Sequence, residues 1–236
     1  MRTARHFGVS SLALTLLPVV ALGQRPAAQQ AGEGGVPSAE CVLETIRQRR
    51  TVRRFLPAPV PDSDLVRILD AARFAPTSGN QQPLRFLVVR DRGRLDRLVG
   101  EAVESMVEVR LRQPGRQDTV AVLAGVRRYV EGALSAPVYV AVLVDRQAPY
   151  PADIATDGAL AAGTLMIAAR ALGYGTGFFT FLPEERLRRV LGFPERYQLI
   201  CFTPIDVPAA WPAPPAKRDL RELVVYEAFE GAPAGP

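Results

Sequence analysis

The run from Val138 to Val144 constrains the fold most, because all seven of its residues are apolar. A strand buried on both faces shows such a continuous run, whereas a strand with one wet face alternates apolar and polar residues. We therefore predict a central strand here. The shorter stretches Phe86 to Val89 and Gln198 to Ile205 predict two further strands.

Helical patterns separate these strands. They are predicted at Val42 to Arg50, from Asp62 to just before Pro76, Leu95 to Leu111, Val120 to Leu134, Asp157 to Leu172, and Pro183 to Leu191. Because helices and strands alternate loosely, without strict βαβ repetition, we predict an α+β fold. The proline-rich stretch Val207 to Ala216 predicts an extended arm. It leads to Lys217, Arg218 and a short amphipathic end with Leu220, Leu223 and Val224.

The first 37 residues have a different character from the rest. Two arginines precede an apolar stretch, Val9 to Leu22, and Ala21 and Gly23 are small residues at the positions that a signal peptidase reads. This pattern predicts a secretory signal peptide at 1–23, and the apolar stretch is short for a membrane span. A flexible lead-in at 24–37 and one domain at 38–236 would follow. The expectation is an exported, periplasmic protein without a membrane span after signal removal. One alternative is that the segment stays as an uncleaved anchor. The other is that the start codon is assigned too early and the protein is cytoplasmic.

Composition excludes several kinds of site. The formal net charge is +5, and Lys217 is the only lysine, so nearly all of the positive charge comes from arginine. Neither an aromatic-rich basic stripe nor a zinc-binding spacing accompanies the arginines. We therefore predict no nucleic-acid binding. The only histidine, His6, lies in the predicted signal. The domain therefore lacks His-dependent nucleophilic catalysis, and isolated Cys41 and Cys201 predict no metal site. An enzyme of this composition needs an organic cofactor, with no catalytic side chain assigned.

The stretch Arg49 to Phe55 holds four arginines and a threonine. Guanidinium groups bind phosphate or carboxylate in a planar, two-pronged geometry. In an extended chain Thr51 and Arg53 point to the same side, where they could contact one anionic group. A solvated basic run is the alternative interpretation.

Two further stretches are candidates for ligand contact. The loop from Ala75 to Pro83 carries hydroxyl and amide side chains that suit a polyol or the edge of a heteroaromatic ring, although ordinary surface turns share this composition. Three glycines between Gly173 and Gly177 fit close backbone approach to a ligand, or a helix C-cap and turn.

Together, these stretches resemble the nitroreductase family of flavin enzymes over nearly the whole predicted domain. The matching motifs are Arg49 to Phe55, Ala75 to Pro83, Ala136-Pro137-Val138, Asp157-Gly158-Ala159, Ala171 to Thr176, Leu191 to Pro194, and Lys217-Arg218. The resemblance implies a three-layer α+β fold with a central, mostly antiparallel sheet flanked by helices. It also implies a domain-intertwined homodimer with two FMN sites at the subunit interface.

The resemblance assigns the FMN contacts by region. The basic stretch would hold the phosphate, the ribityl chain and the ring carbonyl edge. The polar loop would contact the ribityl chain or the ring, partly from the neighbouring subunit. The region from Gly177 to Thr180 would lie along the ring near N5, and Lys217 and Arg218 would return to the phosphate. The implied cofactor-binding residues are Arg49, Arg50, Thr51, Arg53, Pro76, Thr77, Ser78, Asn80, Gln82, Gly177, Phe179, Thr180, Lys217 and Arg218.

The implied activity is ping-pong hydride transfer from NAD(P)H, or another donor, to nitroaromatics, quinones or similar electron-poor small molecules. An exported member needs a donor other than cytosolic nicotinamide. The alternatives are reductive dehalogenation, a flavin-consuming reaction with oxygen, and a non-catalytic flavin-binding or electron-relay protein. Departures from the family pattern at Leu84, Gly163-Thr164 and Ile205-Asp206-Val207 concern the substrate pocket more than FMN binding.

Overall fold

The computed structural model describes residues 38–56, 58–113 and 118–229. The predicted signal peptide 1–23 and lead-in 24–37 lie outside these residues. In the part described, no helix has the length and apolar character needed to cross a membrane.

Three antiparallel strands form the sheet, in the order β1-β2-β3. They are β1 Leu84–Val89, β2 Tyr139–Asp145 and β3 Tyr197–Pro204. In the register, Phe86 of β1 lies opposite Val142 of β2, and Val142 lies opposite Cys201 of β3. The three predicted strands are confirmed, and the continuous apolar run is the central one.

Helices cover both faces of the sheet. The described helices are α1 Ala39–Gln48, α2 Asp62–Ala72, α3 Arg92–Leu111, α4 Thr119–Ala133, α5 Ile154–Ala171 and α6 Glu184–Leu191. Tyr139, Ala141 and Leu143 of β2 join one core with α3, α4 and α6. Val140 and Val142 point the other way and join a second core with α2 and α5. The three-layer α+β architecture with an antiparallel sheet is therefore confirmed.

Helix boundaries differ from prediction by up to three residues, and the end of α1 and the start of α5 are two examples. The first helix ends at Gln48 rather than Arg50, because the Arg50 guanidinium donates to the carbonyl oxygens of Arg47 at 2.6 Å and Arg49 at 2.9 Å. These bonds satisfy carbonyl groups that a helix end leaves without partners. α5 begins at Ile154, ahead of the predicted Asp157, so that Asp157 lies within the first turn.

The C-terminal segment forms less structure than its sequence pattern predicts. The predicted amphipathic end contains a three-residue 3₁₀ turn, Leu220–Glu222, and its apolar side chains Leu220, Leu223 and Val224 are exposed. Short helices without packing partners are marginal in water. Among the described residues, no surface covers this apolar end.

α5 crosses the sheet closely at Gly158, where a Cβ atom would lie 2.4 Å from Ile200 Cγ1 and 2.7 Å from Val144 Cγ1. We expect Gly158→Val to lower the free energy of unfolding by about 1–3 kcal/mol, because the core must shift to admit the larger side chain. Urea denaturation measures this change. Gly125→Ala in α4 is the control, since no atom lies within 4 Å of its added Cβ. It should gain about 0.5–1 kcal/mol, and equal effects at both sites would contradict the close approach.

Candidate cofactor-binding site

A basic cavity of about 730 Å³ opens where α1 ends and the basic stretch, Arg49 to Phe55, begins in an extended conformation. The arm forms the opposite wall of this cavity. The lining residues are Ile46, Arg47, Arg49, Arg50, Thr51, Arg53, Pro212, Ala213, Pro214, Pro215 and Lys217. The structure thus brings together the basic stretch and Lys217, which lie more than 160 positions apart in the sequence.

The side chains of the extended stretch alternate as predicted. Val52 is buried, with 1% of its surface exposed, while Thr51 and Arg53 line the basic cavity. Arg54 is exposed and lies outside the lining. The backbone is fixed by a bond of 2.8 Å from the Val52 N–H to the Thr176 carbonyl oxygen.

The positive charge of the basic cavity is largely uncompensated. Arg47 pairs with Glu40 at 2.7 Å, but within the described ranges no carboxylate lies within 4.0 Å of Arg49, Arg50, Arg53 or Lys217. The cavity lining contains no acidic residue. The Arg50 Nε atom is buried and has no hydrogen-bond partner in the described structure. Because unpaired buried donors and clustered cations are unfavourable alone, this arrangement is suited to an anionic ligand.

The two cations of the arm are placed differently. Lys217 lines the basic cavity, whereas Arg218 pairs with Glu222 at 3.1 Å on the exposed side of the arm and is not part of the lining. Of the two residues predicted to return to the phosphate, the structure places Lys217 at the cavity.

The glycine segment lies beside the wall of the basic cavity, because Thr176 forms a parallel bridge with Thr51. A Cβ at Gly177 would lie 2.5 Å from the Phe179 ring, so this position requires glycine. Phe179 is buried, with 5.3 Å between its ring centroid and that of Phe181, and its carbonyl oxygen accepts a bond of 2.9 Å from the Phe202 N–H. Thr180 is exposed.

The polar loop is held in an unusual backbone conformation. Gly79, Asn80 and Gln82 have φ values of 54°, 55° and 48°, which are left-handed, and two of these residues carry side chains. Such strain is common at ligand-binding segments and requires support from surrounding structure. Pro76, Asn80 and Gln82 are exposed, and Thr77 Oγ1 accepts a bond of 3.1 Å from the Gln82 N–H.

Acidic side chains of α5 supply that support. The buried Asp157 carboxylate accepts bonds from the Ser78 N–H at 3.0 Å and from Gln81 Nε2 at 2.7 Å. The Ser78 hydroxyl donates to Asp153 at 2.7 Å. Tyr150 exchanges two further bonds with Gln81. The loop is therefore a rigid platform that presents Asn80 and Gln82 to solvent.

The polar loop and the basic cavity lie at opposite ends of α5. Asp157 near the helix start holds the loop, and Arg170 near the helix end is bonded to Gln48, the neighbour of Arg49. From Asp157 to Arg170 the helix rises by about 20 Å at 1.5 Å per residue. A single chain therefore does not place Asn80 and Gln82 beside the arginines and Lys217.

Several residues of the site were not predicted from the sequence. Asp157 was part of a matching motif, but its role in holding the loop depends on contacts across 76 and 79 residues of chain. Asp153 and Gln81 act with it. Ile46 and the prolines of the arm line the cavity, which only the path of the arm determines.

Asp206 stands where the sequence departs from the family pattern. Its side chain is fully buried; Oδ1 accepts a bond of 2.7 Å from the Val207 N–H, and Oδ2 has no partner among the described residues. Burial raises the pKa of this carboxyl to about 6. Its backbone pairs with Gly175, one residue from the Thr176 bridge, so the acid lies behind the wall of the basic cavity.

The chain combines an α+β fold with a basic cavity, and the nitroreductase family model matches residues 46–205. The chain therefore belongs to the nitroreductase family. It is 31% identical over 183 residues to a 5,6-dimethylbenzimidazole synthase of Rhodospirillum rubrum, covering 73% of this chain and 84% of that protein. It is 29% identical over 177 residues to a putative NADH dehydrogenase/NAD(P)H nitroreductase of Archaeoglobus fulgidus, covering 72% and 86%.

Solved structures show the same fold. A crystal structure of oxidised iodotyrosine deiodinase bound to FMN and 3-iodo-L-tyrosine superimposes with a TM-score of 0.68 and 25% identity. The match covers 80% of this chain and 100% of that one. The proteins similar to this chain thus include a 5,6-dimethylbenzimidazole synthase, a putative nitroreductase and a deiodinase whose structure contains FMN.

Proposed function

We propose that this protein is an FMN-dependent oxidoreductase that reduces electron-poor small molecules, such as nitroaromatics or quinones, with electrons from NAD(P)H or another donor. One observation carries the proposal: Arg49, Arg50, Arg53 and Lys217 meet at one cavity without carboxylate partners among the described residues. The terminal phosphate of FMN has nearly two negative charges near neutral pH and suits several guanidinium donors.

The residues present fit FMN in kind and in position. Arg49, the unpaired Nε of Arg50 and Lys217 would hold the phosphate, and Thr51 and Arg53 would contact the ribityl chain and the ring carbonyl edge. The backbone beside Gly177 would lie along the ring. When bound, FMN supplies hydride transfer, while the protein binds and orients it. This division of labour agrees with a domain without histidine.

A second copy of the chain would complete the site. The polar loop lies at the far end of α5 from the basic cavity, so the partner's loop would supply the Asn80 and Gln82 contacts. Apolar side chains support a homodimer, since Val42, Leu43 and Ile46 of α1 are 44–48% exposed on one helix face. Large exposed apolar patches mark association surfaces. Light scattering should give the mass of a dimer; a monomer that binds FMN would contradict the shared site.

The cofactor itself provides the main test. We expect the purified protein to be yellow and to release FMN rather than FAD, because the basic cavity suits a terminal phosphate and none of the three described strands is followed by a dinucleotide-binding glycine motif. Chromatography of the heat-released cofactor measures this. Riboflavin, which lacks the phosphate, is the matched control ligand and should bind more weakly. A colourless protein that ignores added FMN would refute the proposal.

Activity assays separate the candidate reactions. Oxidation of NADH or NADPH by the holoprotein, with a nitroaromatic or quinone acceptor, distinguishes an enzyme from a flavin-binding or electron-relay protein. Reductive dehalogenation is the second candidate, supported by the match to iodotyrosine deiodinase over that whole chain. Halide release from an iodophenol, with dithionite as reductant, tests this reaction. If the protein is exported, its electron donor must be one other than cytosolic nicotinamide.

A further inference from the structure

The segment from Ala209 to Asp219, which holds most of the arm together with Lys217 and Arg218, is tethered at very few points. Its start is fixed, because the Ala209 N–H donates to the Arg54 carbonyl oxygen at 3.0 Å. Beyond that, no backbone hydrogen bond in the described structure joins residues 210–218 to another residue. Prolines at 212, 214 and 215 have no N–H to offer. Yet this exposed stretch forms one wall of the basic cavity and carries Lys217.

One side-chain contact holds the arm at Trp211, two residues beyond Ala209. The Arg170 guanidinium lies 3.9 Å from the centroid of the Trp211 ring, in a cation–π arrangement. Its Nη2 also donates to Gln48 Oε1, in the last residue of α1. Arg170 is in the last turn of α5, where a cation is favoured by the helix dipole. The end of α5 is thus joined both to the end of α1 and to the arm, which lead into the two walls of the cavity. We call the three residues Gln48, Arg170 and Trp211 the clamp.

We propose that Arg170 is a positioning residue for anion binding: through the clamp it fixes the arm so that Lys217 faces the basic cavity. This rests on the proposed function, since the anion is taken to be the FMN phosphate. Neither Arg170 nor Trp211 lines the cavity, so they act through Lys217 rather than on the ligand. The clamp unites segments that are separated by more than 120 positions in the sequence.

Flavin affinity tests the positioning role. Trp211→Leu should weaken FMN binding by about three- to thirtyfold, the range that follows from the worth of a cation–π contact, and leave riboflavin binding unchanged. Trp211→Phe, which keeps an aromatic face, should restore most of the affinity. In a Lys217→Ala background, Trp211→Leu should cause no further loss of FMN affinity, because both changes remove the same contact of Lys217 with the phosphate. Phe74→Leu, which removes the exposed stacking of Arg73 at 4.4 Å, is the matched control.

A second measurement reports on the clamp without any flavin. Trp211 is the only tryptophan in the sequence, so its fluorescence reports on this contact directly. Acrylamide quenching should increase in Arg170→Leu and stay the same in Arg73→Leu. Unchanged quenching in Arg170→Leu, or full FMN affinity in Trp211→Leu, would overturn the positioning role. The same holds if Trp211→Leu weakens riboflavin binding as much as FMN binding, or weakens FMN binding equally in the Lys217→Ala background. A parent protein that does not bind FMN would instead refute the proposed function, and quenching would then decide alone whether the clamp exists.

Discussion

Arg53→Ala is expected to weaken FMN binding by about 10- to 150-fold, because a hydrogen bond to a charged group contributes about 1.5–3 kcal/mol. The same variant should lower the FMN midpoint potential by some tens of millivolts. If Arg53 contacts the ring carbonyl edge, its charge favours the reduced ring, which is more negative, over the oxidised ring. For a two-electron couple, about 1.4 kcal/mol corresponds to about 30 mV. Equilibrium titration and a redox titration of the reconstituted protein measure the two effects.

Arg54→Ala is the control for this prediction. Arg54 has the same side chain one position further along, but it is exposed and lies outside the basic cavity. Its removal should change affinity and potential little, as for other exposed charges. Loss of flavin in the Arg54 variant, together with parent-like behaviour of the Arg53 variant, would show that the assigned register of the stretch is wrong.

Replacing Asp206 with asparagine should change how stability depends on pH. Burial raises the pKa of this carboxyl from an ordinary value of 3.8 to about 6. Between these values the folded chain binds more protons than the unfolded chain, so the Asp206 contribution to the free energy of unfolding falls as pH rises. The stability of Asp206→Asn relative to the parent should therefore increase between pH 4 and 7, by up to about 3 kcal/mol. Urea denaturation at several pH values measures it.

Asp145→Asn provides a control of opposite sign. The hydrogen bond from Arg196 lowers the pKa of the Asp145 carboxyl, so this group stabilises the fold above its ordinary pKa and that stability is lost on acidification. The stability of Asp145→Asn relative to its parent should accordingly improve as pH falls. A flat difference for Asp206→Asn across pH 4 to 7 would mean that its carboxyl is not desolvated as the structure indicates.

The sequence predicted the strands because burial leaves a direct pattern, whereas the three-layer arrangement was implied by the family resemblance. β2 is apolar at every position from Tyr139 to Val144, since both of its faces are covered, and its neighbours follow from their own apolar stretches. Helix ends were predicted less well. The early end of α1 depends on one guanidinium, that of Arg50, which bonds to carbonyl groups rather than continuing the helix.

The candidate site was predictable only in part. Alternation along the extended stretch correctly separates Thr51 and Arg53 from Val52 and Arg54, because that rule is local. Contacts between distant segments carry no such local signal. The stacking of Arg170 on Trp211 and the bonds of Asp157 to the polar loop depend on how the helices pack, and neither spacing nor composition indicates them.

The bonds from Asp157 to the polar loop also affect the thermodynamics of ligand binding. Ordering a loop residue costs about 1–2 kcal/mol in backbone entropy, and a mobile loop incurs that cost when its ligand arrives. Here the left-handed conformations at Asn80 and Gln82 are already fixed in the free chain by Asp157. The entropic cost is therefore met during folding, so this segment should associate with a ligand as a preformed surface and change its backbone little on binding.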